Sequence, residues 1–394
     1  NNLSNENNTG GPTISGITTY SGKNFFVPPV GDTKSRPEDC EPGSLRFNTD
    51  TAHLEYFRGD TIGWTEIEAS SHELGGAATS GSIDGRGTRA IFGGGYIAPG
   101  PCFNNTDAIT IETLGNTIDF NNLTASKTGG YTIGNSTRSV YAGGRLSTTP
   151  SGSTTNEISF CNFSTQNDYS DSGGDLSSSR GMGAALCNET RGLFTGASVP
   201  AYINTIEYVT ISALGDSVDF GDISYGRAGY AYALSSTTRG IIAGGLLYNP
   251  PSPATFDDIG FVTISSTGNT STFGDLNYEK YEGGAGSSAT RGLIMCGYGP
   301  NYTSLVEFIT IATTGNALEF GNLTNLNGNG KYSASSKTRA VIGGGYSYPQ
   351  ADYSNTIEFV NIATRGDGVD FGDFINFGRR ANSFNNSCNG HGGL

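Results

Sequence analysis

The chain has 394 residues, among them 60 Gly, 20 Tyr and 21 Phe, and its 22 basic and 36 acidic side chains give a net charge of −14. Aromatic residues that recur in a Gly-rich chain argue against general disorder and favour short strands joined by tight turns, an all-β protein. The dispersed acidity argues against nucleic acid as a partner, and no apolar run of about 18 residues predicts membrane insertion.

Residues 1–74 do not repeat. We expect a flexible polar tail at 1–11, followed by an attachment and assembly β segment at 12–74. The chain begins at Asn1 rather than Met, which suggests that a further segment precedes it.

Within the attachment segment, residues 43–50, 54–60 and 64–66 read as a small hairpin with a third strand. A hairpin of this size buries too little surface to be stable alone, so we expect its large apolar side chains to need a partner. The aromatic candidates for attachment and assembly are Phe25, Phe26, Phe47, Tyr56, Phe57 and Trp64.

A Thr-Arg dipeptide recurs through residues 75–394. Its arginines are Arg89, Arg138, Arg191, Arg239, Arg291 and Arg339, spaced 49, 53, 48, 52 and 48 residues apart. About 50 residues is the length of one four-stranded propeller blade. We expect each unit to begin with the strand after Thr-Arg and to end with the strand before the next one.

Three further signals follow each first strand. The second strand, such as 206–211, is apolar on both faces, which indicates a sheet covered on both sides. A Gly-Asn or Gly-Asp pair, such as Gly215-Asp216, suits the positive φ of a hairpin turn. The third strand places an apolar residue two before a Phe, as Val218 before Phe220, so both lie on one face.

Six anchors predict a six-bladed β-propeller over 75–394, kelch-like in architecture, whose last unit has its fourth strand near 380–387. A seventh blade would require residues 70–87 to combine with the tail, and that stretch is poor in apolar residues. The second unit is degenerate, because 157–176 lacks both the Gly-Asn turn and the Phe.

Candidate chemistry is sparse. His53, His72 and His391 do not recur with the repeat, so we expect no catalytic site and no enzyme. The six Cys form no CxxC pair, which gives zinc no support and leaves disulfides open. The trio Asp216, Asp219 and Asp222 suggests calcium. Other units replace these residues with Asn or Thr, however, which favours turn capping, and we predict no metal and no cofactor.

The recurring arginines have two interpretations. They line a central channel and bind anionic sugars, or each pairs with a carboxylate of its own or the neighbouring blade; we favour this structural role. The loops 96–105, 146–156 and 246–256 vary between units, as recognition loops on a rigid scaffold do. The candidate glycan contacts near such loops are Tyr248, Tyr298 and Tyr346.

Two stretches carry a resemblance to a known class. Gly-Ser-Leu-Arg-Phe-Asn-Thr-Asp-Thr at 43–51, with Leu54-Glu-Tyr-Phe and Trp64, resembles a module of phage tail-fibre proteins. Thr-Ile-Ala-Thr-Thr-Gly-Asn-Ala-Leu-Glu-Phe-Gly-Asn-Leu at 310–323 and the ending at 389–394 resemble their propeller repeats. The chain is thus similar to virion appendage proteins of tailed bacteriophages, particularly marine phages and cyanophages.

This resemblance implies a non-enzymatic virion structural protein of tail-fibre, capsid-fibre or decoration type. The N-terminal segment would bind other virion proteins. The propeller would serve host attachment through receptor binding, with a host cell-surface glycan as candidate receptor, or capsid decoration. The protein would assemble in the host cytoplasm and reside on the particle surface, as a homo-oligomer, with a trimer implied by the resemblance. The alternative is a secreted or surface lectin-like propeller that binds carbohydrate.

Overall fold

The computed structural model describes residues 28–37, 39–50, 53–67, 89–97, 100–146, 153–165, 167–224, 229–249, 252–324, 328–348 and 352–375. The tail at 1–11, Phe25, Phe26, the strand predicted near 380–387 and the ending at 389–394 lie outside these ranges. The chain divides into two units, Asn1–Leu74 and Gly75–Leu394. In the described ranges no helix is long and apolar enough to cross a membrane.

The first unit contains one four-stranded sheet in chain order. Its strands are β1 (Val30–Gly31), β2 (Leu45–Asn48), β3 (His53–Phe57) and β4 (Trp64–Glu66). The hairpin and third strand expected from the sequence are β2, β3 and β4, which pair antiparallel. The additional strand β1 runs parallel to β2, and the 3-10 turn Thr33–Ser35 follows it.

Among its described residues, the second unit contains six antiparallel sheets that carry the anchor arginines, numbered here along the chain, and two smaller sheets. Sheet 1 has three strands among the described residues, β5 (Arg89–Gly93), β6 (Phe103–Thr110) and β7 (Ile118–Lys127). Sheet 2 contains β8 (Tyr131–Gly134), β9 (Arg138–Ala142), β10 (Glu157–Asn162) and β11 (Ser170–Asp175). Sheet 3 contains β12 (Ala184–Cys187), β13 (Arg191–Ala197), β14 (Ile203–Thr210) and β15 (Val218–Asp222).

The remaining three sheets repeat this order of strands. Sheet 4 contains β16 (Tyr232–Ser235), β17 (Arg239–Ala243), β20 (Asp258–Thr263) and β21 (Ser271–Asp275), with the hairpin β18 (Leu246–Asn249) and β19 (Ser252–Thr255) between its middle strands. Sheet 5 contains β22 (Gly284–Ser287), β23 (Arg291–Tyr298), β24 (Tyr302–Thr310) and β25 (Leu318–Asn322). Sheet 6 contains β27 (Tyr332–Ser335), β28 (Arg339–Gly343), β31 (Thr356–Asn361) and β32 (Val369–Asp373), beside the short strands β26 (Gly328–Asn329), β29 (Tyr346–Ser347) and β30 (Asp352–Tyr353).

The expected unit boundary was wrong by one strand. The strand before each Thr-Arg pairs with the strand after it, as β16 pairs with β17, so it opens a sheet rather than closing the preceding one. The reason is the tight turn between them. The Ser236 N–H donates to the Arg239 carbonyl and the Ser236 hydroxyl accepts from the Arg239 N–H, which closes a hairpin.

Buried side chains fill the spaces between successive sheets. One cluster joins Ile133 of sheet 2, Leu186 of sheet 3 and Ile242 of sheet 4. Another joins Phe92 of sheet 1 to Phe371 of sheet 6. Sheet 6 therefore packs on sheet 1 as the other sheets pack on their neighbours.

The strands expected to be third in each unit, such as β15, are the fourth strands of the four-stranded sheets, and they bury only part of their predicted apolar face. Val218 pairs with Tyr208, and the Tyr208 ring contacts Phe220, so Val218 and Phe220 share one face as expected. Phe220 is 2% exposed, whereas Val218 is 52% exposed at the open end of the strand.

Candidate functional site

The order of strands gives every sheet two different ends. In the order of each sheet, as in β12-β13-β14-β15, neighbouring strands are antiparallel. The second strand therefore ends, and the third begins, at the end of the sheet where the first strand begins. The connections of variable length between the second and third strands lie there, at what is here called the loop end. The opposite end, here called the turn end, carries the Thr-Arg hairpins and the Gly-Asx turns. The described parts of loops 96–105, 146–156 and 246–256 lie at the loop end of sheets 1, 2 and 4.

At the loop end, backbone hydrogen bonds join neighbouring sheets. They are made by the residue two positions before the first strand of a sheet, as Tyr230 precedes β16. The N–H groups of Met182, Tyr230, Glu282 and Gly330 donate to the carbonyl of the equivalent residue in the preceding sheet, beginning with Gly129, at 2.7–3.1 Å. All five residues have φ between 58° and 68°. The equivalent position of sheet 1 lies outside the described residues.

Seven tyrosine rings form a continuous row at the loop end of sheets 4 to 6, here called the tyrosine row. Its members are Tyr230, Tyr281, Tyr298, Tyr302, Tyr346, Tyr348 and Tyr353. Successive ring centroids lie between 4.7 and 6.1 Å apart. The Tyr348 ring, 49% exposed, stacks on Tyr302, and the other rings are partly buried.

The carboxylate of Glu282 acts electrostatically on this row. Burial, and then the charge of Glu282, raises the pKa of Tyr281. Burial, neighbouring tyrosines and Glu282 raise the pKa of Tyr302 in the same direction. These hydroxyl groups therefore remain protonated at neutral pH and can donate and accept hydrogen bonds.

The three tyrosines selected from the sequence have different outcomes. Tyr298 and Tyr346 both contact Tyr302, at 4.7 and 6.1 Å between centroids, and so belong to one row. Tyr248 pairs through its backbone with Pro253 in the β18–β19 hairpin, and its side chain is not described. Sequence reasoning missed Tyr302 and Tyr281, although the Tyr-Gly-Pro-Asn-Tyr stretch at 298–302 signals a loop with an aromatic residue on each side.

The six anchor arginines make the same contact at the turn end. In each case Nη1 donates to a backbone carbonyl of the next sheet, and Arg339 of sheet 6 donates to Ile111 of sheet 1. The other five contacts join Arg89 to Phe163, Arg138 to Ile211, Arg191 to Ile264, Arg239 to Ile311 and Arg291 to Ile362, at 2.8–3.4 Å. Every guanidinium also lies over an aromatic ring of its own sheet, at 4.3–5.9 Å.

The partner of these arginines differs from the expected carboxylate. Among the described anchors only Arg339 has one nearby, with Glu112 at 3.9 Å. A backbone carbonyl is available because it lies just beyond the third strand of the neighbouring sheet, where the hydrogen bonding between strands ends. The contacts tie one sheet to the next.

Of the trio that suggested calcium, Asp216 through its side chain and Asp222 through its backbone N–H form hydrogen bonds between sheets. The Oδ1 atoms of Asp216 and Asn269 accept backbone N–H groups of the preceding sheet, from Asp175 and Asp222. In the same way the N–H groups of Asp275, Asn322 and Asp373 donate to the Oδ1 atoms of Asn316, Asp367 and Asn116. In the degenerate sheet 2, Asp168 accepts from the Asn122 N–H. No cluster of three or more His, Cys, Asp or Glu that could hold a metal ion occurs in the described part of the chain.

Buried basic residues just before the first strands were not anticipated. Lys280, whose side chain is fully buried, forms an ion pair with Glu307 at 2.5 Å. Arg180 pairs with Glu207 at 3.1 Å. Lys331 donates to the carbonyls of Gly344 and Tyr346 at 2.7 and 3.1 Å. An isolated Lys or Arg in a turn carries no sequence signal for burial.

The sheet of the first unit has one polar face and one apolar face. Arg46 and Glu55 are directly opposite on β2 and β3, nearly fully buried, and Arg36 bonds to the same carboxylate. The other face carries Leu45 and Leu54, which are 41% and 38% exposed.

The aromatic candidates for attachment divide between these two faces. Phe47 and Tyr56, both partly buried, pair with Leu54 and Leu45 on the apolar face. Phe57 and Trp64 pack against each other on the polar face, with ring centroids 5.5 Å apart. The Trp64 indole donates to the Pro37 carbonyl at 3.3 Å, so both rings have intramolecular partners.

The cysteines in the described ranges are free thiols, at positions 40, 102, 161, 187 and 296. Burial raises the pKa of Cys161 to about 11, which makes this thiol a poor nucleophile at neutral pH. The chain matches no protein-family model and no curated protein sequence.

Proposed function

We propose that the six sheets form a closed six-bladed β-propeller. Support comes from the junction between the last sheet and the first. The Gly115 N–H donates to the Phe371 carbonyl at 2.9 Å, as Gly268 does to Phe220 and Gly315 to Phe273 within the series. The Arg339 and Asn116 contacts repeat those of the other sheets in the same way.

On this scaffold we propose a non-enzymatic virion structural protein that displays its loop end for host-surface binding or particle decoration. The observation that carries the proposal is the concentration of the variable loops and of the tyrosine row at one end. The turn end carries the arginine and Asx hydrogen bonds that join neighbouring sheets. A rigid body with recognition elements at one end suits display, and the resemblance to phage appendage proteins supplies the setting.

Purified phage particles test this role. Mass spectrometry should detect the protein in the particles, and labelled antibody should locate it on their surface by electron microscopy. Detection only in the medium or in host lysate, with none in purified particles, would contradict the proposal.

We propose further that the first unit assembles the protein through its apolar face, with other copies of the chain as the occupant. The face formed by Val30, Leu45, Phe47, Leu54 and Tyr56 has no charged side chain. Because each chain carries a net charge of −14, copies repel one another elsewhere on their surfaces, and a neutral apolar face is where they can meet. The phage resemblance favours a trimer, which docks in turn on another virion protein.

The second candidate is a secreted or surface lectin-like propeller, and the tyrosine row favours it as well. The two candidates share a binding face and differ in location. Absence from particles combined with glycan binding by the free protein would select the second candidate.

A further inference from the structure

We propose that the tyrosine row, together with Glu282, is a binding site for a neutral oligosaccharide. This inference rests on the proposed display function, because it names the class of ligand that the loop end would recognise. It makes no use of the anchor arginines, which are engaged between sheets at the turn end.

The first argument is the backbone of Tyr230 and Glu282. Both hold a left-handed conformation that disfavours any side chain, with φ of 58° and 61°. The equivalent residues of sheets 2 and 6 are Gly129 and Gly330, which adopt this conformation at little cost. The fold therefore accepts Gly here. Tyr230 and Glu282, like Met182 in sheet 3, carry side chains against a backbone preference, and those of Tyr230 and Glu282 lie at the tyrosine row.

The second argument is the shape of the row. Its rings follow one another at steps of 4.7–6.1 Å from Tyr230 in sheet 4 to Tyr353 in sheet 6. An extended ligand with repeated apolar faces can contact several such rings in succession, as the C–H faces of linked pyranose rings allow. A compact ligand would use only one or two of them.

The third argument is charge. Burial and the negative charge of Glu282 both raise the pKa of Tyr230, Tyr281 and Tyr302, so the Glu282 carboxylate acts on all three tyrosines. A carboxylate accepts hydrogen bonds from the hydroxyl groups of a sugar and repels uronic or sialic acids. The net charge of −14 acts in the same direction.

A glycan array probed with the intact chain tests the inference. The array carries linear neutral hexose oligomers of two to eight units beside oligogalacturonates and oligoalginates of the same lengths. We expect binding to at least one neutral series, with affinity increasing with length, and no binding to the acidic oligomers. Calorimetry with the best neutral oligomer then gives the dissociation constant.

Three variants assign the binding to the row. Tyr302→Ala should weaken binding about tenfold or more, as loss of one stacking ring does in other aromatic platforms. Glu282→Gly should also weaken binding, and it should raise the melting temperature because Gly relieves the left-handed backbone. Leu318→Ala, at an exposed residue of the turn end, serves as the control and should bind like the unmodified chain.

Preference for the acidic oligomers, absence of binding to any neutral series, or full binding by folded Tyr302→Ala would overturn the inference. The proposed display function has its own readout, because detection in purified particles does not depend on sugar binding. A protein found in particles that binds no glycan would leave the display function in place and remove only this site.

Discussion

At the scale of single residues, the repeated arginines explain why the Thr-Arg phrase persists in a chain whose loops vary. Each guanidinium lies over a ring of its own sheet and reaches a backbone carbonyl of the next, as Arg239 does with Phe261 and Ile311. The planar fork of Arg serves both contacts, whereas Lys offers a single point charge. The phrase thus marks the junctions between sheets.

Arg239→Ala should lower the unfolding free energy by about 2 kcal/mol, because it removes one cation–π contact and one charge-assisted hydrogen bond. Thermal denaturation measures the effect, with exposed Arg58→Ala of the other unit as control. Unchanged stability accompanied by lost glycan binding would assign Arg239 to recognition instead.

Lys331 makes stability depend on pH in a defined direction. Burial lowers its pKa in the folded chain to about 8, from the ordinary lysine value of 10.5. The unfolded chain therefore binds more protons between these two values, so the contribution of this residue to stability increases as pH rises from 8 to 10.5.

The matched variant is Lys331→Met, which does not titrate. Between pH 7.5 and 10.5 the difference in unfolding free energy between the two proteins should change by up to about 3 kcal/mol in favour of the unmodified chain. Tyrosine titrations are common to both proteins and cancel in the difference. Denaturant unfolding across this range gives the comparison, and a constant difference would show that Lys331 titrates normally.

At the scale of elements, the Gly-Asx turn of a sheet lies against the fourth strand of the preceding sheet. A Cβ on Gly221 would lie 2.5 Å from the Gly268 carbonyl carbon. The same close approach joins Gly274 to Gly315 and Gly372 to Gly115. Glycine is required here because two backbones touch, not only because a turn needs positive φ.

Gly274→Ala should destabilise the chain by about 1–3 kcal/mol, because its methyl group must displace backbone atoms of Gly315 and Asn316. Gly366→Ala is the control, since a Cβ there meets no atom within 4 Å. Equal melting temperatures for the two variants would contradict the close packing of neighbouring sheets.

The apolar face of the first unit carries a prediction about assembly. Leu54→Asp should convert the oligomer to monomer in sedimentation velocity, because a charge would be buried between copies. Ile118→Asp, at an exposed position of the second unit, should leave the oligomer intact. An unmodified chain that sediments as a monomer would contradict the assembly role.

Much of the element level could be predicted from local signals, and contacts between elements could not. The apolar run at residues 206–211, the Gly215-Asp216 turn and the Val218 and Phe220 pair identified β14, β15 and the hairpin between them. The assignment of β16 to the wrong sheet arose because periodicity does not say which neighbour a strand pairs with. The row around Tyr302 was found only in part, since it joins loops that lie about 50 residues apart in the sequence.

At the scale of the whole molecule, the bonds between sheets form repeated series rather than isolated contacts. The backbone series at the loop end runs from Gly129 to Gly330. The arginine and Asx series at the turn end continue from sheet 6 to sheet 1, through Arg339 and Asn116. The proposed closed ring would leave no sheet with an uncovered face, which would account for the apolar residues on both faces of the third strands, such as β14.

An experimental structure of the intact chain, by crystallography or electron cryomicroscopy, tests the closed ring most directly. The account predicts six sheets around one axis, with the Arg339 guanidinium on the Ile111 carbonyl and the Gly115 N–H on the Phe371 carbonyl. A seventh sheet between sheets 6 and 1, or an open array in which Phe92 and Phe371 face solvent, would contradict it.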